Sequence, residues 1–161
     1  MRKFAFFVAI IGVVTLVQTT MAQDNKQNVL DAAKAIEANT KSKEAAGQQE
    51  RALKWLIETN DVHLIVCGEV FSLFSDKKNK NSSMMTMGYT IGMGAFKIGS
   101  PDKATDENAA QLAGLLLALK AYENGVADNP KTKFDKIETL LQKRTAGELT
   151  ALVTGFDCGK K

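Results

Sequence analysis

One histidine and two cysteines in 161 residues leave little from which to build a metal centre or a thiol enzyme. A structural zinc site wants four ligands, and beside His63 and Cys67 only Cys158 is an obvious third. The helical His pair of a metalloprotease, the G-x-S-x-G nucleophile turn and a phosphate-cradling glycine loop are all missing. No alternation of apolar and polar residues is long enough for a half-buried strand, which points away from a sheet. Basic residues are scattered apart from Lys77, Lys78 and Lys80, so no continuous stripe could follow a nucleic-acid backbone. Ala118, Tyr122 and Pro130 match the spacing of only half a tetratricopeptide unit, so repeats are not expected.

What is present begins with an address. Arg2 and Lys3 precede an apolar run from Phe4 to Val17, too short to span a bilayer comfortably. Small residues at Thr20 and Ala22 then suit signal peptidase, so residues 1–22 read as a cleaved export signal of bacterial type. The expected location is the periplasm or the extracellular space, with no membrane attachment after cleavage. Of 21 Lys plus Arg and 18 Asp plus Glu, Arg2 and Lys3 leave with the signal; 19 against 18 is a mature charge near +1. An oxidising compartment favours a bond between Cys67 and Cys158, which would pin the C-terminal tail to the middle of the chain.

The remaining residues suit one helical domain. Residues 23–42 are polar and alanine-rich, with Val29, Leu30 and Ile36 as larger anchors, and predict a lightly packed N-terminal helical segment. Residues 43–161 form the domain proper. Apolar residues recur at helical spacing from Ala45 to Ile57, and Val62 to Phe74 reads as a buried helix, with a strand over 62–66 as the alternative. Ser82 or Ser83 can cap a helix to about Ile98, whose Gly88, Gly92 and Gly94 imply close approach of a neighbouring backbone. Thr105 opens the longest and most central helix, which Gly125 stops. Lys133 to Arg144 and a last helix from Ala146, started by a Thr145 to Glu148 capping box, finish the chain. The expected fold is all-α, an irregular bundle of five to seven helices closed by Cys67 to Cys158.

Four candidate sites follow from residue chemistry. Met84, Met85, Met87 and Met93 cluster within ten residues, and soft thioethers select Cu(I); Met84, Met85 and Met87, joined by His63, would form a metal site. Gap-filling in a core around glycines is the plainer role for these methionines. His63 and Cys67, one helical turn apart, could be a metal half-site or a nucleophile with its base, but a disulfide removes the thiol. Glu69 inside an apolar helix could be the acid of a small hydrolase, whereas Asp61, Asp102, Asp106, Glu107 and Glu123 read as caps or solvated faces. The loop of Lys77, Lys78 and Lys80 with Ser82 and Ser83, and the exposed sides of Tyr89 and Phe96, are the candidate binding surfaces. Asn81-Ser82-Ser83 is a glycosylation sequon only in a eukaryotic host.

These features favour binding over catalysis. The expectation is a small periplasmic protein, monomer or weak dimer, that engages a protein partner or small ligand without a cofactor. On size and address it suits an inhibitor or immunity-type protein. A copper-binding protein is the alternative, and a hydrolase acting through Glu69 the second.

Overall fold

A computed structural model describes residues 6–156 and 158, with residues 6–21 described by their backbone alone. Seven α-helices follow one another among these residues: α1 (Phe6–Glu37), α2 (Lys43–Glu58), α3 (Gly68–Ser72), α4 (Ser82–Gly99), α5 (Glu107–Asp128), α6 (Asp135–Thr145) and α7 (Leu149–Gly155). Single 3₁₀ turns, Pro101–Lys103 and Pro130–Thr132, lead into α5 and out of it. The all-α bundle expected from the sequence is what forms, and Cys67 and Cys158 are joined by a disulfide with Cα atoms 5.3 Å apart.

The centre of the molecule is the α4–α5 pair, the most extensive helix contact among the described residues. Glycines make it close. A Cβ on Gly92 would lie 2.8 Å from the Ala113 carbonyl oxygen and 2.9 Å from the Gly114 Cα, so the two backbones touch there. This pair has core on both sides. On one side Met85, Tyr89, Met93, Leu115, Leu119 and Tyr122 pack with α3, α6 and α7; on the other Ile91, Leu117 and Ala121 pack with α1 and α2. Burial on two faces explains why neither sequence shows a clean polar stripe.

Helix ends depart from the sequence reading where tertiary partners compete with local caps. Ser42 caps α2 as its side chain accepts from Ala45 N–H at 3.0 Å. Asp106, rather than Thr105, caps α5 through Ala109 N–H at 2.9 Å. Gly125 does not stop α5, which continues to Asp128; the glycine instead leaves room for Asn81. Nor does Thr145 form a capping box: it ends α6, Gly147 turns the chain with φ +73°, and Glu148 precedes α7 without a side-chain cap. Residues 23–42 pack more firmly than expected, because Val29, Ala32 and Ile36 are fully or nearly fully buried. At 32 residues α1 is also longer than α5.

The largest correction concerns 62–74. Only Gly68–Ser72 is helical, and residues 63–67 run irregularly without a partner strand among the described residues. Carbonyls that a helix would bond locally are taken from afar. Lys97 Nζ donates to the His63 carbonyl at 2.8 Å and Gln111 Nε2 donates to the Ile65 carbonyl. A chain whose carbonyls are bonded by side chains of α4 and α5 has no local bonds to gain by coiling.

Candidate functional site

Three polar side chains of the central helix pair lie beneath segment 61–67, and two of them donate to its carbonyls. Lys97 is the one charged residue in the last turn of α4, with 6% of its side chain exposed, and it needs a counter-charge there. Glu107, in the first turn of α5 and 13% exposed, supplies one: Nζ and Oε1 are 2.5 Å apart. The third is Gln111, one turn further along α5, which accepts from the Tyr89 hydroxyl while donating to Ile65. Burial pushes the Tyr89 phenol up to about 12, with the Glu107 charge adding to the effect.

Above the ion pair lies a cavity of about 290 Å³ lined by Asp61, His63, Lys97, Thr105 and Glu107, with Val62 and Ala104. Lys97 uses two of its three N–H donors, one to Glu107 and one to the His63 carbonyl. Glu107 Oε2 is buried and accepts no hydrogen bond among the described residues, and the neighbouring Asn108 Oδ1 is in the same condition. An unsatisfied buried acceptor costs roughly 1–3 kcal/mol, and this oxygen has almost no accessible surface, so it is closed to the cavity as well. Asp61 adds a second carboxylate, approached only by the partly exposed Lys26 at 3.9 Å.

The residues singled out from the sequence are dispersed. Lys77, Lys78 and Lys80 are exposed, but Asn79 among them and Asn81 just after them are buried and anchor the loop: Asn79 Nδ2 donates to the Phe74 carbonyl at 2.9 Å and Asn81 Nδ2 to the Thr132 carbonyl at 3.2 Å. Asn81 is therefore closed to glycan attachment, and neither Ser82 nor Ser83 caps α4. Tyr89 has no exposed side and belongs to the core, contrary to the expected binding role, because the ring packs against Phe71 and Phe74. Phe96 is half-buried in an open apolar groove of about 320 Å³ between α1, α4 and α5, with Ala33, Ala113 and Leu116.

The methionines do not converge either. Met85 and Met93 are buried in the core on the α3, α6 and α7 side, whereas Met84 and Met87 line a cavity of about 130 Å³ against Ile36 and Asn124. His63 lies at the Lys97 cavity instead, apart from all four. Among the described residues no three His, Cys, Asp or Glu side chains are grouped to hold a metal ion. His63 and Cys67 are not on one helical face, since 63–67 is not helical, and Cys67 is disulfide-bonded. Glu69 is exposed in the first turn of the short α3 rather than enclosed in an apolar helix.

Sequence reasoning passed over Lys97 and Gln111 and took Glu107 for a solvated face. The signal available was a lone cation at the end of an apolar glycine-rich helix and a glutamine flanked by alanine and leucine. Compared with protein-family models, curated proteins and solved structures, the chain matches none. Among the described residues no helix is long and apolar enough to cross a membrane.

Proposed function

We propose that this is a small exported binding protein that recognises its partner at the cavity between segment 61–63 and the N-terminal turn of α5. The observation that carries this reading is the cavity of about 290 Å³ itself, around which Asp61, His63, Lys97 and Glu107 are gathered. A concavity where a few polar groups converge is where a ligand or a partner side chain is ordinarily held. Export rests on the basic start, short apolar run and small residues of 1–22. An inhibitor or immunity-type protein is a narrower form of the same reading, suited to a chain of this size in that compartment.

The test is site-specific photocrosslinking in the native host. A benzophenone side chain at exposed Thr105, on the cavity rim, is expected to give one discrete adduct; the same group at exposed Thr150 on α7 is expected to give none. Equal labelling from both positions, or none from Thr105, removes the cavity as the recognition site. The mass of the recovered chain checks export, with Gln23 as the expected first residue.

A further inference from the structure

Exposed apolar surface and unpaired charge coincide in the groove between α1, α4 and α5. The small residues Ala33, Gly92 and Ala113 line it, and Leu116 beside them leaves 39% of its surface in water. Glu37 and Lys120 complete the lining with one charge of each sign. Neither has an ion-pair partner among the described residues, because the opposite charges near each in sequence are taken: Lys34 by Asp31, Lys41 by Asp128, and Glu123 by both N–H arms of Arg144.

The order of these residues suits a second copy of the chain. Helices α1 and α5 run the same way. Near the C-terminal ends of both, Asn124 Nδ2 donates to the Ile36 carbonyl at 2.7 Å; towards their other ends, Leu30 and Glu107 both lie at the end of α4, beside Gly99 and Lys97. Along the groove α1 therefore presents a small residue and then an acid, Ala33 and Glu37. In the same direction α5 presents a large residue and then a base, Leu116 and Lys120, again one turn apart. A two-fold axis running along the groove lays α1 of each copy over α5 of the other, and in an interface of that symmetry every contact is made twice. A fatty acid fits the same groove less well, since Glu37 repels the carboxylate that Lys120 attracts.

We propose that the protein forms a two-fold dimer through this groove. Leu116 of each copy seats against Ala33 of the other, and Glu37 pairs with Lys120 across the axis on both sides. The groove shares no lining residue with the cavity beside segment 61–63, so the dimer goes beyond the recognition reading and does not depend on it.

The experiment is sedimentation velocity of the protein purified from its host, at concentrations up to about 1 mM, the weak end of specific association. Wild-type protein is expected to pass from monomer to dimer as its concentration rises. Glu37→Lys and Lys120→Glu, each alone, are expected to weaken the dimer on the order of tenfold, as two exposed attractions become repulsions. Mixed one to one, the two variants are expected to pair with each other as tightly as wild type, since both contacts are again of opposite sign. That recovery also shows that both variants are folded. Wild-type protein that stays monomeric, single variants that associate like wild type, or a mixture that regains nothing overturns the dimer. A monomer that retains an acyl chain or another protein in native mass spectra has a different occupant in the groove, and overturns it too.

Discussion

Tyr89 and Tyr122 are the two tyrosines of the chain, and both phenols are removed from water. Burial pushes each up to about 12, and for Tyr122 the Glu138 carboxylate that accepts its proton at 2.6 Å adds to the shift. Phenols in the unfolded chain ionise near 10. Between about pH 10 and 12 the unfolded state therefore binds fewer protons than the folded one, and stability falls as pH rises through that window. Below the window the two phenols leave stability unchanged with pH. Phenolate absorbance of the native protein is expected to stay flat through pH 10 and then rise together with loss of helical circular dichroism. In denaturant the same absorbance should titrate near 10. Two phenols ionising near 10 in a protein that stays helical would contradict their burial.

At the scale of the element, the α4–α5 contact decides what a glycine is for. A helix-interior Gly→Ala change ordinarily gains about 1 kcal/mol of propensity. At Gly92 the added methyl would meet backbone atoms at 2.8 and 2.9 Å, so the helices must part, and overpacking of that kind costs typically 1–3 kcal/mol. Gly47 in α2 is the control, since its Cβ would meet only the movable end of Arg51 at 3.3 Å. Urea midpoints are expected to fall for Gly92→Ala and to hold or rise for Gly47→Ala. A Gly92→Ala protein as stable as Gly47→Ala would mean that the two helices are not in backbone contact.

For the whole molecule, the disulfide is the covalent link between segment 61–67 and the chain beyond α7. It spans 91 positions, and constraint of an unfolded loop that long is worth roughly 4 kcal/mol on the chain-entropy model. Replacing both cysteines by serine is expected to lower the urea midpoint accordingly. Amide exchange should speed first in α7, where Leu149 and Val153 reach the core, and last in α4 and α5. An unchanged midpoint, or uniform loss of protection, would show that the bond contributes nothing to holding α7 in place. Thiol reagents applied to the native protein should find no free cysteine, as both sulfurs are paired.

How much of this was legible depends on the reach of each interaction. Amino-acid order alone determined the all-α class, most helix positions, the Cys67 to Cys158 pairing and the close approach implied by Gly88 and Gly92, because periodicity acts within a few residues and two cysteines allow one bond. Tertiary structure alone decided the rest. Segment 62–67 reads as helical locally and is not, since its carbonyls bond side chains 34 and 46 residues further on. Tyr89 and Met85 read as surface or ligand candidates, and both are core, since α4 is covered on two faces. Lys97 and Glu107, ten residues apart across a turn, became a buried pair at a cavity wall only when α4 and α5 folded back on each other. Local bonds are written in neighbouring residues, whereas a charge's need for a distant partner arises only once burial has taken its water away.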